Sequence, residues 1–300
     1  MRLLFRDIAF TLLLVCVLLV ALEVAVGRTR SGLSYKDEFM CKNADRIKVL
    51  VLGNSLFANS IDPHELGDSV FDAATDARSL WYDRMILEKY APEMSNLEVV
   101  LIPLIASLYA KPNPTPFFTY PYARYMDIPY GNNPMQYSAL LSGRLTFRGL
   151  APIRVLNQVV NSTDYHHDHF MDSIGYSPLF HVWNGYQRNV GIARHEEAMQ
   201  SKEEFVRLVT EMADYCNSHG ARLICVLPPA SDVYIKDIDP RMYDTLESVM
   251  NRLSRTCRIE YKFYHNDPDF RADSLYADEL HLNYWGAKQF AKKVKTDFSL

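Results

Sequence analysis

VLVLGNSLFANSIDP, residues Val49–Pro63, decides how this chain is read. An apolar run ends in Gly53-Asn54-Ser55, and the chain then turns polar. With Arg46-Ile47-Lys48 ahead of it, the run is continuous and stops at a glycine, as a buried parallel strand does. A serine just beyond such a strand is either a helix cap or a nucleophile presented at the sheet's carboxyl edge. The stretch alone leaves both open, so the partners must come from elsewhere.

The rest of the chain supplies the frame. DSVFDAA reads as a short second strand and SLWYDRMILEKY (79–90) as an amphipathic helix; NLEVVLIPLI (96–105) is the next buried strand. KEEFVRLVTEMADYCNSHG is a helix stopped by Gly220, and RLICVLPP a strand closed by Pro228-Pro229. A helix (241–257), a strand (259–265) and a last helix (283–298) complete the alternation. The order implies an α/β fold: a flavodoxin-like parallel sheet with helices on both faces. Residues 106–200 interrupt it with prolines, glycines and tyrosines and no period, which marks an insertion or cap. The body is therefore expected over 46–300.

The N-terminus differs in kind. IAFTLLLVCVLLVALEVAVG, from Ile8 to Gly27, has the roughly 20 apolar residues a bilayer-spanning helix needs. Glu23 is its only charge. Residues 1–30 are expected to form a membrane anchor, with 31–45 as a polar tether. A cleaved signal peptide is the alternative, because Ala25-Val26-Gly27 has the small residues of a cleavage site. Basic residues flank both ends and so give little contrast by the positive-inside rule; the expected orientation is a single pass with the body outside the cytoplasm.

The 300 residues carry a net charge of −4, and the 32 basic residues are scattered, which gives no footprint for nucleic acid. Four cysteines lie beyond the apolar segment without a CxxC pair, and their spacing selects no disulfide pairing. DYHHDHF gathers His166, His167, Asp168 and His169, but adjacent residues rarely all face one ion. No metal or cofactor is expected. Asn161 begins a glycosylation sequon of the kind that occurs by chance.

Chemistry enters at the far end. YADELHLNYWGAKQF places Asp278 and His281 three apart, just before the last helix. In one turn that spacing lets a carboxylate hold the imidazole so that its other nitrogen accepts a serine proton. Serine first, then aspartate, with histidine last, suits a hydrolytic triad on an α/β sheet.

The GNS block and DELHLNYWGAKQFA together resemble the SGNH (GDSL-like) hydrolase superfamily. SIDPHEL and LHLNYWGA are most similar to its membrane-anchored branch, which includes the teichoic acid D-alanine transfer protein and the alginate O-acetylation proteins. The resemblance covers 46–105 and 201–298. It implies Ser55 as nucleophile, His281 as base and Asp278 as the acid that orients it. It implies the N–H groups of Ser55 and Ala74 as oxyanion donors, although Ala74, in FDAATDA, stands where the family has glycine. The asparagine of the family's third block is missing from LIPLIASLYA, where Ser107 is the nearest polar side chain.

Asn54, Ser107, Tyr120 and Tyr122 are the candidate substrate contacts. The last two belong to an aromatic run that could line a sugar groove or fill a small core. The expected function is a serine esterase or O-acyltransferase on cell-surface glycan. The alternative is an inactive scaffold that binds glycan and partners a membrane acyltransferase.

Overall fold

The computed structural model describes residues 1–28, 31–108, 110–143, 171–186 and 195–300. His166–His169 and Asn161 lie outside that set. The chain forms two compact units, one of residues 1–37 and 113–167, the other of 38–112 and 168–300.

The larger unit is a five-stranded parallel sheet: β1 (Val49–Val51), β2 (Val70–Asp72), β3 (Val99–Pro103), β4 (Arg222–Leu227) and β5 (Glu260–Phe263). Their spatial order is β2-β1-β3-β4-β5. This is the doubly wound flavodoxin-like order, whose switch point lies between β1 and β3. In register, Val51 sits beside Asp72 on one side and Leu101 on the other. Val51, Val99, Leu101, Ile224 and Val226 pack into one core, while the alternate Leu50, Val100, Ile102, Leu223 and Cys225 are buried on the opposite face. Central strands covered on both sides have no polar face, which is why they read as unbroken apolar runs.

Helices supply the covers. Among the described residues the helices, numbered in chain order, are α1 (Arg2–Gly27) and α6 (Pro116–Tyr125) of the smaller unit, and α2 (Gly32–Asn43), α3 (Ser55–Ala58), α4 (Pro63–Leu66), α5 (Leu80–Tyr90), α7 (His195–Ser218), α8 (Asp232–Asp237), α9 (Pro240–Cys257) and α10 (Tyr284–Phe298). One layer joins α5, α7 and α9; the other pairs α4 with α10. Phe290, Ala291 and Val294 of α10 enter the core with Val51 and Leu101, at the helical spacing expected of an apolar stripe.

Two boundaries differ from the sequence reading. The expected tether is largely the helix α2, whose Met40 is buried and whose Phe39 stacks on Phe71 of β2 at 4.1 Å. Its polar composition hid a narrow apolar side. The expected insertion is also shared out, since 168–200 belong to the larger unit and α7 begins at His195.

In the smaller unit, α1 is long and apolar enough to cross a membrane, with a mean hydropathy of 2.8 over its best window. Most of its apolar side chains are exposed, but Val26 in its last turn is buried. The Glu23 carboxylate accepts hydrogen bonds from the Ser138 hydroxyl (3.0 Å), the Ala139 N–H (2.8 Å) and the Leu140 N–H (3.1 Å). Val26 is buried with Tyr120 and Ala139, and Arg124 donates to the Gly27 carbonyl at 2.9 Å. Tyr120 and Tyr122 are only 2% and 6% exposed. Their rings fill the core of this unit instead of lining an open groove, a correction to their assignment as substrate contacts. Burial of an aromatic contributes more than a solvent-facing hydroxyl.

Candidate active site

The turn after β1 answers the first question. Asn54, not Ser55, caps α3: its Oδ1 accepts the Leu56 N–H at 3.0 Å. That is a structural role for a residue expected to touch substrate. It leaves the Ser55 side chain outside the cap, with its Oγ 2.8 Å from His281 Nε2. The preceding Gly53 has φ +123, and a Cβ there would meet Pro103 Cδ of β3 at 2.3 Å. Only glycine takes both that backbone and that approach at low cost. The Gly53 N–H donates to Asp83 of α5 at 2.9 Å, beside buried Arg78. Burial pushes the Asp83 carboxyl up to about 6, against the pull of Arg78 and the Gly53 N–H.

The histidine stands on an equally specified loop. His281 Nδ1 lies 3.0 and 3.1 Å from the two oxygens of Asp278. Asp278 Oδ1 also accepts the N–H groups of Leu280 (2.9 Å) and His281 (2.8 Å). Burial alone would push this carboxyl up. The His281 ring and these N–H groups outweigh it and hold Asp278 well below the usual carboxylate range. A carboxylate fixed at Nδ1 sets the tautomer whose Nε2 can accept the Ser55 proton.

Three residues that hold this loop escaped the sequence reading. Asn283, fully buried, caps α10 through Oδ1 to the Trp285 and Gly286 N–H groups, while its Nδ2 donates to the carbonyls of Ser274 and Tyr276. Ser60 Oγ accepts the Leu282 N–H at 3.0 Å, which ties the serine's segment directly to the histidine's. Gly286 lets α10 start against the loop, since a Cβ there would lie 2.2 Å from the Leu275 carbonyl. The cap was legible in principle, as an asparagine just before a helical period. The Ser60 link joins residues 222 apart and has no local signal.

The oxyanion side is different. The Ala74 N–H donates to Asp72 Oδ1 at 2.7 Å and the Thr75 N–H to the Gly53 carbonyl at 3.0 Å. The N–H of Ala74, expected as an oxyanion donor, is thus engaged within its own Asp-led turn. Ser55 opens α3, where an N–H has no partner inside the helix. Ser107 is half-buried in the loop after β3, and no hydrogen bond among the described residues joins it to Ser55. All five cysteines are free thiols.

No family model and no curated protein matches the sequence. Solved structures do resemble it at low identity. A Bacteroides fragilis protein assigned as an acylhydrolase aligns at 10% identity and TM-score 0.42, over 87% of this chain and 95% of that one. A Streptococcus pneumonia protein assigned as a platelet activating factor gives 9% and 0.46, over 97% and 99%. The psychrotrophic esterase EstA of Pseudoalteromonas sp., inhibited by monoethylphosphonate, gives 12% and 0.40, over 84% and 96%.

Proposed function

We propose that this chain is a membrane-anchored serine esterase or O-acyltransferase of the SGNH type, acting on acyl groups of cell-surface glycan. The observation that carries the reading is the continuous relay from Ser55 Oγ to His281 Nε2 and from His281 Nδ1 to Asp278. In this mechanism Ser55 Oγ attacks the ester carbonyl while Nε2 takes its proton, and the imidazolium is stabilised by Asp278. The tetrahedral oxyanion is received by the Ser55 N–H, with Ala74 contributing once its N–H leaves Asp72. Collapse expels the alcohol, which takes the proton back from Nε2 and leaves an acyl-serine. Water then gives the free acid, or a sugar hydroxyl gives a transferred ester.

The helix α1 acts as a retained single-pass anchor with the body outside the cytoplasm, and a membrane-bound acyltransferase is its natural partner. The Glu23 and Val26 contacts support retention over cleavage, because a cut after Gly27 would strip both from the smaller unit.

The second reading, an inactive glycan-binding scaffold, has its own support in the engaged Ala74 N–H and the missing third-block asparagine. Fluorophosphonate labelling of the full chain in detergent, located by peptide mass spectrometry, separates the two. The enzyme reading expects label on Ser55 that disappears in Ser55→Ala and in His281→Ala. Folded protein that takes no label refutes it and leaves the scaffold.

A further inference from the structure

The bond between Ser60 Oγ and the Leu282 N–H joins the two halves of the triad, and a second site opens beside it. Two residues beyond Ser60 is Asp62, and two beyond Leu282 is Tyr284. Both line a pocket of about 430 Å³, together with His64, Asp172, Phe180 and Lys288. Ligand pockets for small molecules begin at about 300 Å³.

Its walls are of two kinds. Phe180 is 54% exposed and its ring lies 5.3 Å from that of Tyr284, tilted by 35°. The Tyr284 N–H donates to the Leu179 carbonyl at 2.7 Å, so the two rings are held as one ledge. Exposed Trp285 extends it, 6.0 Å from Tyr284. The other walls are polar. His64 Nε2 lies 2.8 Å from Asp172 Oδ2, and Lys288 Nζ pairs with Glu65 at 3.0 Å. Asp62 is only 2% exposed, yet just one of its oxygens is engaged: Oδ1 accepts the His64 N–H at 3.0 Å. Oδ2 accepts no hydrogen bond among the described residues. Burial raises this carboxyl, as expected of a group short of donors.

The chemistry narrows the ligand. A purely apolar occupant would leave Asp62 Oδ2 desolvated without a partner. A phosphate or sulfate would face two carboxylates, with the only lysine on the wall already paired to Glu65. An amine would meet that same lysine's charge. A neutral ring bearing hydroxyls meets every requirement: its C–H face lies on Phe180 and Tyr284, one hydroxyl donates to Asp62 Oδ2, and another accepts from Lys288.

We propose that this pocket is a sugar subsite, holding one pyranose ring of the glycan whose ester Ser55 attacks. The pocket's occupant follows from its own walls; that the same glycan carries the ester rests on the esterase reading above.

The test separates the two. Full-length Ser55→Ala protein in detergent is titrated with neutral trisaccharides (xylotriose, cellotriose, mannotriose, chitotriose) and with inorganic phosphate, following Trp285 fluorescence against a Trp285→Phe control. At least one sugar is expected to give a saturable change, weakened tenfold or more in both Phe180→Ala and Asp62→Asn. Asp62→Asn keeps the oxygen that accepts the His64 N–H, and Phe180 is exposed, so neither variant threatens folding. A response to phosphate alone, no response to any sugar, or a response that survives both substitutions overturns the proposal. In parallel, p-nitrophenyl acetate hydrolysis by the protein with Ser55 intact reports the triad without a sugar. Sugar binding without that hydrolysis upholds the subsite and defeats the esterase reading alone.

Discussion

The two sides of the candidate active site are built to different degrees of completion. On the histidine side, each group that fixes His281 has its partner: Asp278 takes two N–H groups and the ring, Asn283 takes two N–H groups and gives to two carbonyls, and Ser60 takes Leu282. On the oxyanion side, the Ala74 N–H is occupied by Asp72, and LIPLIASLYA, which contains the end of β3, has no asparagine. In the proposed esterase reading, the groups that would move the proton are preorganised, whereas those that would receive negative charge are not. A site of this kind can hold a serine beside its base in readiness and still react slowly until something frees a donor. One oxyanion donor is worth about 2.7–4 kcal/mol of transition-state stabilisation, so that release would change the rate by two to three orders of magnitude.

The comparison breaks most visibly at Asp278. Asp278→Asn should lower kcat for p-nitrophenyl acetate by about 10⁴-fold, because the amide favours the wrong tautomer. A loss below tenfold would mean that the relay is not used. The next effect is on the scaffold of the same loop. Asn283→Ala removes a buried cap and two bonds to the loop, and should cost roughly 2–4 kcal/mol in urea unfolding, from about 1–3 kcal/mol per group left unsatisfied. Gly53→Ala should destabilise comparably through contact with Pro103, with the Ser55 label lost alongside.

Acid sharpens the contrast further. Asp278 is depressed in the folded state, so its ionised form stabilises the fold above the unfolded value of about 3.9, and this contribution is lost as pH falls below that. The stability gap between the native chain and Asp278→Asn should therefore be full at pH 7 and shrink below about pH 4, measured by urea midpoints. A gap independent of pH would remove the carboxylate's charge from the account. The smallest effect is expected across the site. Ala74→Gly retains the N–H and its bond to Asp72, so kcat should change less than threefold. A tenfold rise would show that the alanine Cβ, not Asp72, keeps the oxyanion side closed.

Much of the histidine side could be read from the chain because its signals are local. The apolar run ending at Gly53 gave the strand, and the Asp278–His281 spacing gave a bond that one turn can close. The oxyanion side depends on a turn in FDAATDA, where the short distance from Asp72 to the Ala74 N–H competes with any substrate; no periodicity announces that. Helix α2 was missed for a related reason: its buried side is Leu33, Lys36 and Met40, and the lysine breaks the apolar pattern that would announce a stripe. The aromatic residues were divided by tertiary structure alone: Tyr120 and Tyr122 went into a core, whereas Phe180 and Tyr284, far apart in sequence and without period, meet at the pocket.

The Glu23 joint has a practical consequence. A shortened chain beginning at residue 31, the obvious route to soluble protein, would remove the carboxylate that accepts from Ser138, Ala139 and Leu140, and would take away Val26 from beneath Tyr120. Three donors and an aromatic ring would be left facing solvent. Purification in detergent with the apolar helix attached therefore preserves the smaller unit, and trimming for solubility would take out part of its fold.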